Sequence, residues 1–265
     1  MILLRSLIFN LAFYITLTGL VIGGIPCMFM DRFAIFALAR LWAKSSIFLL
    51  DKICGTKFEF RNLDKVPKGA LLVAAKHESI FETFALTLAF DDFTYILKRQ
   101  LLYIPLFGSY LRTAEQVDID RKKGSSALRQ AAARAREVLA NGRQFLIYVE
   151  GTRRPAGAPP SYKFGATHIY RETNTPCLPV ALNTGLFWPR RSFMRYPGTI
   201  VIEFLDIIPP GLDKNEFAQQ LESSIETACN RLNAEAVAAH PARAALLAKG
   251  AQADMAKPAR PKTPA

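Results

Sequence analysis

The hydrophobic pattern opens with one long uninterrupted run. From Ser6 to Met30, "SLIFNLAFYITLTGLVIGGIPCMFM", no side chain carries a charge. As a helix its 25 residues reach roughly 37 Å, more than the hydrocarbon layer of about 30 Å. The run predicts a membrane-anchoring helix over 6–30, loosened at its end by Gly23, Gly24 and Pro26. A cleavable signal peptide fits less well, because the stretch is too long and lacks a small-residue cleavage site. The next run, "RFAIFALARLWAKSSIFLLDKICG", is also apolar, but at 100° per residue Arg40, Lys44 and Asp51 share one narrow stripe. That stripe predicts an interfacial helix over 33–53, lying at headgroup level or pairing with the first as a hairpin. A core helix of the following domain is the alternative. Whether the first segment crosses the bilayer or sits in one leaflet stays open.

From about 56 to 232 short apolar runs alternate with longer helical periods, which predicts a single α/β domain with a mixed sheet flanked by helices. The expected strands are "TKFEF", "ALLVAA", "FTYIL", "QVDID", "FLIYV", "CLPVALN" and "TIVIEFL". Helices are expected over 79–90, 124–141, 163–172 and 213–232, the second stopping at Asn141-Gly142. Beyond Asn233 the chain falls to Ala, Pro, Lys and Arg, which predicts a disordered basic tail over 233–265. Three regions follow: an anchor over 1–55, a domain over 56–232, and the tail.

Composition narrows the partners. Thirty-four Lys and Arg against 22 Asp and Glu leave a net charge of +12, pointing to lipid headgroups, phosphorylated substrates, an acidic carrier protein or nucleic acid. Nucleic acid is disfavoured by the lack of a binding motif or aromatic-basic array. Arg32, Arg40, Lys44 and Lys52 follow the first segment while only Arg5 and the amino terminus precede it, which predicts a cytoplasmic body. Cys27, Cys54, Cys177 and Cys229 lie too far apart for a disulfide framework or zinc site. No carboxylate pair accompanies His77 or His168 at ligand spacing, so no metal is expected, and no phosphate-binding glycine loop is present.

The candidate chemistry begins at "LLVAAKHESIFETFAL" (71–86), where an apolar strand ends in Lys76-His77-Glu78. The carboxyl end of a strand in an open α/β sheet is where ligands bind. Two readings of the knot compete. Ser79 and Glu82 have the S-x-x-E spacing of a capping box, in which each side chain satisfies a backbone donor. Glu82 could instead reach back to His77 and hold its ring as a general base.

"KHESIFE" resembles the H-x-x-x-x-D box of the glycerolipid acyltransferases, with Glu82 standing where that family usually has Asp. "VDIDR" (117–121), "YVEGTRR" (148–154) and "CLPVAL" (177–182) are similar, in order, to three further motifs of the family. Tyr148, Val149 and Arg154 depart from the usual F-P-E-G-T-R-S, and the usual Gly early in the second motif is missing. The resemblance implies direct acyl transfer from acyl-CoA or acyl carrier protein to the hydroxyl of a lysophospholipid, lysophosphatidic acid first, without a cofactor. It implies His77 as base, Glu82 as its orienting acid, and an acceptor-phosphate site of Arg121, Glu150, Gly151, Thr152, Arg153 and, more weakly, Lys163, in which Arg121 and Arg153 are the phosphate ligands and Glu150 helps order the site. It further implies an enzyme of the inner (cytoplasmic) membrane. Glycerol 3-phosphate or an aminolipid as acceptor, and a non-enzymatic membrane-tethered binder of anionic partners, are the alternatives.

Overall fold

The computed structural model describes residues 1–120 and 124–253. Two apolar helices come first, α1 (Ile2–Gly23) and α2 (Arg32–Leu49). The first stops short of the predicted residue 30, because Pro26 lacks the amide an α-helix needs and the chain tightens into a 3₁₀ segment, Ile25–Phe29. Asp31 caps α2 by accepting the Ala34 N–H at 3.1 Å. A π turn, Leu50–Cys54, then leads to Gly55, whose φ of 70° turns the chain into the sheet.

The seven strands fall on the seven predicted runs: β1 (Thr56–Arg61), β2 (Leu71–Ala75), β3 (Phe93–Lys98), β4 (Val117–Ile119), β5 (Gln144–Tyr148), β6 (Cys177–Leu182) and β7 (Gly198–Phe204). They form one sheet in the order β1-β7-β6-β2-β5-β3-β4. Every pairing is parallel except β6 with β7, which makes the sheet mixed. Seven helices of the domain complete the described chain: α3 (Phe81–Ala85), α4 (Phe107–Thr113), α5 (Ser125–Ala140), α6 (Gly165–Thr173), α7 (Thr184–Phe187), α8 (Lys214–Ala239) and α9 (Ala244–Gln252). Predicted helix 79–90 is shorter than expected, since Leu86–Leu88 is 3₁₀.

The expected tail is a correction. α8 continues past 232 to Ala239, burying Asn233 and Ala236, and α9 follows it. A Cβ on Gly250 would lie 1.8 Å from the Ala156 carbonyl oxygen, so α9 is packed hard on the domain. The alanines that suggested disorder are strong helix formers, and tertiary contact supplies the surface they lack alone. Residues 254–265 lie outside the described residues.

Two apolar layers sandwich the sheet. Leu71, Val73 and Ala75 of β2 face α1, α2 and α3, while Leu72 and Ala74 face α5, α6 and α8. Strands β2 and β6 are buried throughout, as parallel strands covered on both faces must be. The alternation carries beyond β2: Lys76 contacts Glu226 of α8, and His77 falls on the opposite, α1–α3, side.

The anchor is fastened to this body. Ser6, Phe9, Asn10 and Phe13 form the buried stripe of α1. Ser6 Oγ accepts the Arg195 N–H at 2.9 Å, Asn10 Nδ2 donates to Phe193 O at 2.9 Å, and Asn10 Oδ1 accepts from Arg195 Nη2 at 2.8 Å. Toward the other end, Tyr110 Oη donates to Val21 O at 2.7 Å. The helix therefore lies along the domain, presenting Leu3, Leu4, Leu7, Leu11 and Ile15 outward. In α2 the predicted charged stripe is divided: Arg40 turns inward to the carbonyls of Thr87, Phe90 and Asp91, whereas Lys44 is exposed. Arg32 is likewise committed, to Asp92 at 2.8 Å.

Candidate active site

Three strand ends meet at the middle of the sheet. The chain leaves β2 at Lys76-His77-Glu78, β5 at Val149-Glu150, and β6 at Asn183-Thr184, and β2 lies between the other two. His77 is clamped at its backbone, where its carbonyl accepts the Arg154 N–H at 2.8 Å, and its neighbour Lys76 donates N–H to Val180 O at 3.1 Å.

Glu82 serves the helix start and the imidazole at once. Glu82 is fully buried, and its Oε1 lies 2.8 Å from His77 Nδ1 while also accepting the N–H groups of Glu78 at 2.8 Å and Ser79 at 2.7 Å. Its Oε2 accepts from Thr184 Oγ at 2.8 Å. Half of the capping box is present: Glu82 takes the Ser79 amide, but Ser79 Oγ accepts from Phe81 N at 3.2 Å and leaves Glu82 N alone. A carboxylate against Nδ1 places the imidazole proton on that nitrogen and leaves Nε2 with a free lone pair. The imidazole also lies flat on Tyr148, with ring centroids 3.8 Å apart and planes 12° apart. Burial pushes the Tyr148 phenol up, so it stays neutral.

The other face of the strand end holds a second set of charges. Lys76 Nζ lies 2.5 Å from Glu226 and 3.5 Å from Glu150. Burial alone lowers Lys76, but Glu150 and Glu226 more than offset it and hold the ammonium above the ordinary lysine value. Beside it a crevice of about 560 Å³ is lined by Lys76, Glu78, Glu226 and Asn233, behind His77 rather than in front of it. Glu78 is buried, with Oε2 accepting the Gly185 N–H at 2.9 Å. Burial pushes its carboxyl up to about 8, against the opposing pull of that amide and of Lys76.

A pH effect follows. The folded-state value lies above the ordinary 4.5, so Glu78 contributes stability that is full below that pH and lost as pH rises through about 8. Glu78→Gln keeps an oxygen for Gly185 and removes the titration. Between pH 5 and 9 the variant should gain on the wild type by on the order of a few kcal/mol. Urea unfolding in one detergent at both pH values measures it. Equal offsets at the two values would exclude the effect.

The expected phosphate residues separate. Glu150 points inward, its side chain 0% exposed, tied to Lys76, to Arg154 at 3.2 Å and to the Ser161 N–H at 3.3 Å. It is not placed to touch a phosphate and instead holds the loop after β5. Gly151 supplies the turn, with φ of 65° and its N–H on Tyr148 O at 2.9 Å. Thr152 and Arg153 are exposed at its tip. Lys163 is exposed before α6, linked to the site through its N–H to Val149 O at 2.8 Å. Arg121 lies outside the described residues.

Three residues here escaped the sequence reading. Thr184 follows the predicted strand "CLPVALN", and that strand-end position was its only signal. Arg190, in "WPRR", is half-buried; burial first, then the charges of Arg191, Arg153 and Arg154, pull its guanidinium down. Arg153, Arg190 and Arg191 form no ion pair with a carboxylate among the described residues, and the charge of Arg153 is felt at Tyr148 as well. Tyr148 was read only as a departure from a motif. Among the described residues no group of three His, Cys, Asp or Glu is placed to hold a metal.

Comparison with known proteins gives concordant matches. A sequence family described as Acyltransferase matches residues 57–183. The 1-acyl-sn-glycerol-3-phosphate acyltransferase of Pseudomonas aeruginosa is 37% identical over 161 residues, 61% of this chain. That match spans 63% of the relative's own length. An uncharacterized acyltransferase of Schizosaccharomyces pombe is 30% identical over 72% of this chain and 70% of its own. The crystal structure of the 1-acyl-sn-glycerophosphate (LPA) acyltransferase PlsC from Thermotoga maritima superposes with a TM-score of 0.74, covering 88% of this chain and 98% of that one at 22% identity.

Proposed function

The chain belongs to the acyltransferase family, and on that premise we propose that it transfers a fatty acyl group from a thioester donor to the free hydroxyl of lysophosphatidic acid, giving phosphatidic acid. The observation that carries this reading is the His77–Glu82 pair, at a strand edge shared with Arg153 and Arg190, which form no ion pair with a carboxylate among the described residues. Nε2 takes the acceptor's hydroxyl proton as the oxygen attacks the thioester carbonyl carbon. A C–O bond forms, the C–S bond breaks, and the imidazolium returns its proton to the departing thiolate. Glu82 stabilises that imidazolium, and the Glu78 and Ser79 amides with Thr184 hold Glu82. Arg153 and Arg190, together with Arg121, which the sequence also offered, take the phosphate of the acceptor. Either acyl-CoA or an acidic acyl carrier protein suits the basic surface as donor.

The membrane reading rests on α1 and on α2 with the π turn that extends it to Cys54, each long and apolar enough to cross a bilayer. Because α1 is tied to the domain near both ends, we read it as lying within one leaflet, on the cytoplasmic side, rather than crossing. The orientation rests less on counted cations than the sequence suggested, since Arg32 and Arg40 are used internally.

Acyl transfer by the purified full chain tests the proposal, with lysophosphatidic acid, glycerol 3-phosphate and an aminolipid as acceptors and acyl-CoA or acyl carrier protein as donor. Phosphatidic acid is expected from the first acceptor. Arg153→Ala should raise its KM about tenfold, the scale of a lost charge-assisted contact. A folded wild type inert with both donors and every acceptor would overturn the reading.

A further inference from the structure

We propose that Tyr148 is a positioning residue for His77, fixing the plane of the imidazole and favouring its cationic form during proton transfer. The inference rests on the reading of His77 as the base. Its ground is geometric. Along β5 and just past its end, Leu146 and Tyr148 face the α1–α3 side while Phe145 and Val149 face the other. Because β5 is the neighbour of β2, that alternation lays the phenol ring under the histidine. Glu82 grips the imidazole by one edge atom, a contact that still permits the ring to tilt about the hydrogen bond. The nearly parallel stack at 3.8 Å removes that freedom.

Tyr148 is itself held. Its ring is stacked on Tyr95, with centroids 6.0 Å apart and planes 18° apart, and its hydroxyl lies 3.5 Å from Thr83 Oγ. Tyr95 Oη in turn donates to Thr83 O at 3.0 Å. His77, Tyr148 and Tyr95 thus form a ladder of three rings running from the catalytic position to the buried face of β3. When Nε2 accepts a proton, the imidazolium sits over the electron-rich face of the phenol, a cation–π contact absent from the neutral ring. The ring carries both effects, and the hydroxyl carries neither.

The test uses the purified full chain with acyl-CoA and lysophosphatidic acid, comparing wild type, Tyr148→Phe, Tyr148→Leu and His77→Ala. Tyr148→Leu should lower kcat about tenfold with both KM values within about twofold, and Tyr148→Phe should stay within about twofold of wild type throughout. Proton NMR supplies a readout independent of turnover. The chain has 3 histidines, so the His77 resonances are assigned by their loss in His77→Ala. They should lie upfield in wild type and Tyr148→Phe and move downfield in Tyr148→Leu. Wild-type kcat in Tyr148→Leu, a raised KM at unchanged kcat, or a Phe variant as impaired as the Leu variant overturns the proposal. So does a His77 resonance that ignores the Leu substitution. An inert wild type instead overturns the proposed function, and a His77→Ala that turns over at the wild-type rate removes His77 from the mechanism, while the NMR comparison still decides whether the stack positions the ring.

Discussion

His77→Ala is expected to lower kcat by about 10²- to 10⁴-fold, the contribution of one positioned general base, with acceptor and donor KM little changed. The acceptor hydroxyl is a poor nucleophile until its proton is taken, and on the proposed mechanism Nε2 takes it. The same substitution should leave the fold nearly intact. The imidazole side chain is 13% exposed and lies against Tyr148, and its side-chain hydrogen bond among the described residues is to Glu82. After its removal Glu82 retains the Glu78 and Ser79 amides and the Thr184 hydroxyl. Loss of one hydrogen bond costs about 1 kcal/mol. The pairing of a large kinetic loss with a small shift in urea midpoint separates a catalyst from a helix cap, which would show the reverse. A tethered scaffold that recruits anionic partners predicts neither loss. Turnover of His77→Ala at the wild-type rate removes His77 from the mechanism.

How much of this was legible beforehand depends on distance along the chain. All seven strands were: β2 and β6, buried on both faces, read as unbroken apolar runs, and the more exposed ones such as β1 as short runs that alternate with polar residues. The reversal at β6 and β7 was not, since strand direction depends on the path of 183–197 and not on either strand's composition. α4 escaped because seven residues cover too few turns to show a helical period. The tail was misread because composition alone prices chain entropy without the surface of the domain that α9 covers. The same rule divides the site. His77 and Glu82 are five positions apart, so spacing could bring them together. Thr184 lies 102 positions from Glu82, and Tyr148 meets His77 only because β5 was threaded beside β2. Glu150 and Arg153 part for the opposite reason: they lie close in sequence, yet the turn at Gly151 buries the acid and exposes the arginine.

The second large effect is at Glu82, where two substitutions divide its roles. Glu82→Ala removes a buried group that satisfies two backbone amides, a histidine and a threonine. The donors at Glu78 and Ser79 are then stranded in a buried site, and the expected loss is about 2–4 kcal/mol together with essentially all activity. Glu82→Gln keeps the shape. Its amide oxygen can occupy the Oε1 position and accept the same two amides and the Nδ1 proton, while the Thr184 hydroxyl rotates to accept from the new NH₂. Stability should therefore stay within about 1 kcal/mol of wild type. Activity should not follow, because a neutral amide offers little stabilisation to the imidazolium formed when Nε2 is protonated, and kcat should fall by about 10²-fold or more. Urea unfolding and acyl transfer on the same preparations read both effects. If Glu82→Gln turns over as fast as wild type, the carboxylate is a helix-start scaffold alone, and the charge on His77 must be balanced by something other than its nearest acid.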